Sequence, residues 1–235
     1  MPLPDVNRTV IESVQFSAGP HLLEGELAYA EEPSDLLGAV VLACSHPMLG
    51  GNMHNNVIRG VGDGLADRGW ATLRFNYRGV GRSEGPRVDV PRHMAEFWRT
   101  SHVPSEMDLW QDVQAAVSFL HPVVGTNRPL VLLGYSFGCA LLPSACRSVL
   151  PAAVVLIAPP LSKHDYMDFT TVQSPLLAIV SDNDFTLEPE PLRDWFDRLP
   201  ASKQLVQASL DNHFFRGHEQ WLVEKIAAFL LEHRA

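Results

Sequence analysis

"VLLGYSFGCALL", Val131 to Leu142, carries the decisive reading of this chain. An apolar run leads into two glycines that bracket a serine, and a second apolar run follows. The first run has the length and branching of a buried strand, and the second continues as a helix. Gly134-Tyr135-Ser136-Phe137-Gly138 is therefore a G-x-S-x-G motif set between strand and helix. In that setting a sharp turn holds the serine in a strained conformation and exposes its hydroxyl at a helix N-terminus. The glycines keep Cβ atoms out of a crowded neighbourhood. A helix-capping serine is the plainer reading, but a cap does not require glycine on both sides.

Working outward, similar short apolar runs recur at 38–44 (GAVVLAC), 71–77 (ATLRFNY), 129–135 (PLVLLGY), 152–158 (AAVVLIA), 175–181 (PLLAIVS) and 203–209 (KQLVQAS). Runs that are apolar on both faces predict central strands of a parallel sheet covered by helices. "TVIESVQF" and "GELAYA" near the start alternate instead, as antiparallel strands with one wet face do. Helical stripes fill the gaps: Val57, Val61 and Leu65; Leu109, Val113, Ala116, Val117 and Leu120; Leu192, Trp195, Phe196 and Leu199; Leu222, Ile226, Phe229 and Leu230. The second stripe is opened by "SEMD", with Ser105 and Asp108 as a capping-box-like start. Alternating strands and helices predict an α/β fold: a mostly parallel central sheet of about eight strands with helices on both faces. The whole chain, 1–235, reads as a single domain.

One stretch departs from this pattern. Residues 86–104, PRVDVPRHMAEFWRTSHVP, hold three prolines and the aromatic pair Phe97 and Trp98. A loop that long is commonly functional. Its expected role is a lid, with Met94, Phe97 and Trp98 as apolar lining and Tyr166, Met167 and Phe169 as additions. Pro143, seven residues past Ser136, is expected to kink or shorten the helix that follows the serine.

A serine nucleophile needs a base, and the base needs an orienting acid. In G-x-S-x-G enzymes the chain order is serine, acid, histidine. After "PLLAIVS" come Asp182 and Asp184; after "KQLVQAS" comes His213. Both positions follow predicted strand ends, where ligands bind in such sheets. Asp184 is the preferred acid, with Asp182 as the alternative; Asp211 is a weaker partner. The oxyanion formed during acyl transfer needs backbone donors. Phe137, next after the serine, supplies one N–H, and Met48 in the loop "SHPMLGGNMHNN" supplies the other. His46 braces that loop by hydrogen bonding rather than acting as a base.

"SHPMLGGNMHNN", "RFNYRGVGRSEG", "GYSFG", "SDNDF" and "DNHFF", in that order, resemble the α/β-hydrolase superfamily, most of all its small, capless bacterial-type group. The resemblance spans roughly residues 20 to 233. It implies an eight-stranded sheet, a Ser136–Asp184–His213 triad, oxyanion donors at Met48 and Phe137, and esterase, thioesterase, lactonase or peptidase chemistry without a cofactor. Leu49, Tyr135, Met94, Phe97, Trp98, Tyr166 and Phe214 are the residues expected to line the substrate pocket. "NYRGVGRSEG" is then a structural loop, and it does not match the dinucleotide-binding G-x-G-x-x-G.

Composition sets the boundaries. With 46% hydrophobic and 19% charged residues, 235 residues can bury a sizeable core. The formal net charge of −9 argues against nucleic acid or an anionic membrane as partner. Residues 1–14 lack a charged n-region followed by an apolar one, and no apolar run has spanning length. Cys44, Cys139 and Cys146 read as buried reduced thiols, which suits a cytoplasmic protein. The histidines show no metal-ligand spacing along the chain, so no metal is expected. The expected partner is a small acyl substrate, with homodimer formation left open.

Overall fold

The computed structural model describes residues 9–31, 36–187, 189–200, 202–210 and 213–233. Eight strands form one sheet: β1 (Thr9–Ala18), β2 (His21–Ala30), β3 (Gly38–Ala43), β4 (Trp70–Phe75), β5 (Leu130–Tyr135), β6 (Ala153–Ile157), β7 (Leu176–Ser181) and β8 (Lys203–Ala208). Their spatial order is β1-β2-β4-β3-β5-β6-β7-β8. β1 pairs antiparallel with β2, and β2 antiparallel with β4. All other pairings are parallel.

Every residue of β3, β4, β5, β6 and β7 is buried. That is why these runs are apolar without alternation: helices cover both sides. β8 differs. It is the sheet edge, and only Ala208 of its six residues is fully buried, so it is not the central strand its sequence suggests.

Helices α1 (Asn56–Ala66), α2 (Val90–Thr100), α3 (Trp110–Val124), α4 (Phe137–Cys146), α5 (Pro189–Arg198) and α6 (Glu219–Glu232) occupy the connections. α1 packs on one face of the sheet: the Thr72 hydroxyl donates to the Gly62 carbonyl at 3.1 Å, and Leu42 and Arg74 lie beside Gly62. α3 packs on the other, where Phe119 stacks on Phe16 at 5.3 Å and Phe16 meets Phe75 edge-on. Thr72 and Phe75 lie an odd number of residues apart on β4, so their side chains point to opposite faces. α1 also packs against α6, and α3 against α4. Among the described residues no helix is long and apolar enough to cross a membrane.

Three expectations need correction. The insertion is not a plain loop: Val90–Thr100 is helix α2, started by Asp89, whose side chain accepts from Arg92 N, with Pro91 in the first turn. Ser105 does not cap the following helix. It sits at φ 60° with no side-chain cap bond, ahead of a 3-10 turn at Glu106–Leu109, and α3 begins only at Trp110. Finally, α4 continues through Pro143 for three further residues to Cys146. The proline removes one backbone bond, and burial of nearly every α4 residue compensates for it.

Candidate active site

The site forms where β3, β5, β7 and β8 end. Gly134 and Gly138 explain the bend at Ser136. A Cβ on Gly134 would lie 2.6 Å from Cys139 N, and one on Gly138 would lie 2.1 Å from the Ala43 carbonyl oxygen. Both approaches are to backbone, which cannot swing aside. The turn between them forces Ser136 to φ 53°, ψ −124°, a conformation that costs a non-glycine residue about 1–3 kcal/mol. Ser136 N–H donates to the Ile157 carbonyl at 2.8 Å, which pins the bend to β6.

Three side chains from distant positions meet here. Ser136 Oγ lies 2.8 Å from His213 Nε2. His213 Nδ1 lies 2.7 Å from Asp184 Oδ2. The other carboxylate oxygen of Asp184 accepts from Thr186 N at 2.8 Å and from Thr186 Oγ1 at 2.7 Å. Burial pushes the Asp184 carboxyl up, but the hydrogen bonds and charge of His213 and the two Thr186 donors outweigh it. The net result is a carboxyl held below its ordinary range, so Asp184 is ionised at neutral pH. Asp182 is excluded from this chain of contacts by geometry. It is exposed, and its backbone N–H extends the pairing with β8 through Ala208 O at 3.0 Å. Asp211 lies outside the described residues.

The histidine is held from several sides. Tyr135 is buried, and its hydroxyl donates to the His213 carbonyl at 3.3 Å. Asn56 Nδ2 donates to the Phe214 carbonyl at 3.0 Å. Phe215, fully buried at φ 49°, anchors the loop.

Of the expected oxyanion donors, Phe137 is the first residue of α4, so its N–H is one that a helix cannot satisfy internally. Its ring lies between His46, at a centroid distance of 4.3 Å, and His164, at 5.4 Å. Met48 sits in a 3-10 turn, Pro47–Leu49, and its N–H donates to His46 Nδ1 at 3.2 Å. His46 does brace the loop: its Nε2 meets Glu106 Oε2 at 2.8 Å, and Glu106 is buried. The loop after β4 supports the same region. Asn76 Oδ1 accepts from Met53 N at 2.9 Å, and Tyr77 Oη donates to the Cys44 carbonyl at 3.2 Å.

The expected pocket lining separates into groups. Leu49 is half-buried in the 3-10 turn, and α2, carrying half-buried Met94 and Phe97, packs against that turn. Trp98 is 78% exposed and points away into solvent with its ring edge-on to Phe97. Tyr135 supports His213 rather than lining a pocket. Tyr166 lies in the core rather than in a pocket: it stacks on Phe169 and meets Trp195 edge-on, the three rings forming one aromatic cluster. Phe214 flanks His213 at 5.7 Å, and Phe185, 72% exposed, flanks it at 5.1 Å. Phe185 was not foreseen, nor was Thr186; both directly follow Asp184, and the D-F-T triplet was their available signal. A cavity of about 430 Å³ lies between β8 and α6, lined by Val206, Leu210, His218, Trp221 and Lys225 among others, and shares no residue with the Ser136 cluster. Cys44 and Cys139 are buried and Cys146 partly so; burial pushes the Cys44 and Cys146 thiols up to about 12, which keeps them unreactive.

Comparisons with known proteins agree with this architecture. The family described as serine aminopeptidase, S33, matches residues 39–179. An uncharacterized protein of Rickettsia prowazekii is 25% identical over 227 residues, covering 93% of this chain and 88% of the relative. An α/β serine hydrolase without a lid from Xanthomonas campestris superposes with a TM-score of 0.74 at 25% identity, covering 94% of each chain. An α/β serine hydrolase homologue from Coxiella burnetii gives 0.72 at 23% identity, covering 92% of this chain and 96% of the other.

Proposed function

The chain belongs to the serine aminopeptidase S33 family of α/β-hydrolases, and on that premise we propose that it cleaves a carboxylic ester or thioester of a small, largely apolar acyl group through an acyl-enzyme. The observation that carries this reading is the continuous contact from Ser136 Oγ to His213 Nε2 and from His213 Nδ1 to Asp184 Oδ2, at 2.8 and 2.7 Å, beside a serine at φ 53°.

In this reading His213 Nε2 takes the Ser136 proton as Oγ bonds to the acyl carbon. The N–H groups of Phe137 and Met48 stabilise the oxyanion. The Met48 N–H, which donates to His46 Nδ1 at 3.2 Å, turns to the oxyanion because a full negative charge is the stronger acceptor. The tetrahedral adduct collapses, and His213 gives its proton to the departing alkoxide or thiolate. Water then attacks the acyl-enzyme, giving its proton to His213; the acid leaves, and Ser136 recovers its proton. Asp184 holds the imidazole with Nδ1–H toward itself and stabilises the imidazolium. Phe185 and Phe214, exposed beside His213, give the mouth an apolar rim that favours acyl and aromatic groups over polyanions. α2, seated on the oxyanion turn, is the lid element.

The test is turnover of p-nitrophenyl esters and acyl thioesters of graded chain length, with Ser136→Ala as the control. The variant should lose about 10⁶-fold in kcat while keeping its fold. A fluorophosphonate probe should label Ser136. Retained turnover in the variant would remove the serine mechanism. Cleavage of aminoacyl p-nitroanilides in preference to esters would move the assignment to peptidase.

A further inference from the structure

Glu106 joins two segments that sequence places far apart. Its Oε2 is fully engaged, facing His46 Nε2 at 2.8 Å and accepting from Val103 N at 3.0 Å. Its Oε1 faces two more imidazoles, with His102 Nδ1 at 3.4 Å and His164 Nδ1 at 3.9 Å. The three ligand-capable atoms of His102, Glu106 and His164 all lie within 4.8 Å of one another. Metal–ligand bonds of 2.0–2.2 Å in a tetrahedron require ligand atoms about 3.4 Å apart. The His102–Glu106 separation of 3.4 Å meets that requirement, the His164–Glu106 separation of 3.9 Å exceeds it by about 0.5 Å, and the two imidazoles lie within 4.8 Å of each other.

We propose that His102, Glu106 and His164 form a binding site for a divalent transition metal of the zinc class, separate from the Ser136 cluster. Two imidazoles and one carboxylate suit zinc, whereas calcium and magnesium take oxygen ligands. The bonds to Glu106 Oε2 orient the carboxylate so that Oε1 is presented to the metal, as outer partners do in metal sites. His102, 64% exposed in its side chain, leaves the fourth position open to water. A bound metal would tie the segment just after α2 to the crossover between β6 and β7. Those segments approach the nucleophile through Phe137, whose ring contacts His164.

The experiment is isothermal titration of the chelator-treated full chain with zinc sulfate in a non-coordinating buffer. The expected result is one tight zinc per chain, raising the thermal midpoint. His102→Ala, a change at an exposed ring, should weaken binding by about tenfold or more while the metal-free variant hydrolyses ester at the native rate. Ser136→Ala should bind zinc as the native chain does. The cobalt-loaded native chain should show the visible bands of a four- or five-coordinate centre. Absence of binding to the native chain, or undiminished binding by His102→Ala, overturns the proposal. Because the readout is metal binding, it fails or succeeds independently of the ester-hydrolysis assignment.

Discussion

Replacing Gly138 with alanine tests how the bend, β3 and the oxyanion turn are held together. A Cβ at this position would stand 2.1 Å from Ala43 O, 2.6 Å from Ala43 C and 2.7 Å from Cys44 O. Real Cβ contacts begin above 3.0 Å, so the start of α4 and the end of β3 must part by about 1 Å. All three obstructing atoms are main-chain, so no side-chain rotation relieves the overlap. Overpacking of this kind costs about 2–3 kcal/mol, or roughly 4–12 °C in Tm for a chain of this size. The functional cost follows from where the parting occurs. Cys44 leads directly into the turn bearing Met48, while Phe137 immediately precedes the substituted residue. On the proposed mechanism, separating the N–H groups of Met48 and Phe137 by about 1 Å should lower kcat/KM on a p-nitrophenyl ester by about 10². The loss should fall mainly on kcat, because the oxyanion exists only after attack. Gly50→Ala is the contrast. It meets nothing within 4 Å and incurs only the strain of φ 97°, so its effect should stay near 1 kcal/mol. A Gly138→Ala protein with native Tm and native kcat would refute this account of the bend.

Two further outcomes are expected. Asp184→Asn should lower kcat by about 10⁴, since the amide favours the wrong imidazole tautomer. The same variant reports on acid stability. Because the folded carboxyl is held below its ordinary range, its stabilising contribution is present above about pH 4 and lost as pH falls through the folded value. Urea midpoints measured from pH 6 to pH 3 should therefore fall more steeply for the native chain than for Asp184→Asn, and parallel curves would contradict the shift. Asp112, fully buried, accepts from Arg78 N, Nε and Nη2 at 2.8, 2.8 and 2.5 Å. Asp112→Ala should cost about 2–4 kcal/mol by urea denaturation, because it strands a backbone donor and a partly covered guanidinium.

The parts legible in the sequence are those fixed by local chemistry. The β5–Ser136–α4 bend could be read because its two glycines answer a steric demand only three to five residues wide. The strands β3 to β7 could be read because cover on both faces leaves no position for polar residues. Asp184 against Asp182 could not be decided locally. Both follow β7, and only the continued pairing with β8 turns one outward and the other toward His213. Glu106 was concealed for a similar reason. In "SEMD" it resembles an ordinary first-turn acid, and only the approach of the loop carrying His46 and of the crossover carrying His164 turns it inward. α2 was legible in principle, since Asp89, Pro91 and the spacing of Met94, Phe97 and Trp98 form a helix start and stripe. The flanking prolines, Pro86 and Pro104, and the helix's polar surface masked them.

The positive φ at Ser136 also restricts what this position can become over evolutionary time. A β-branched residue is a severe outlier in that region, so threonine, chemically the nearest hydroxyl, is a replacement the backbone resists. Cysteine keeps an unbranched Cβ and a nucleophile, and glycine or asparagine keeps the bend without one. Lineages descending from this chain therefore have two accessible routes at residue 136, a thiol enzyme or a folded but silent homologue, and a threonine hydrolase is not among them.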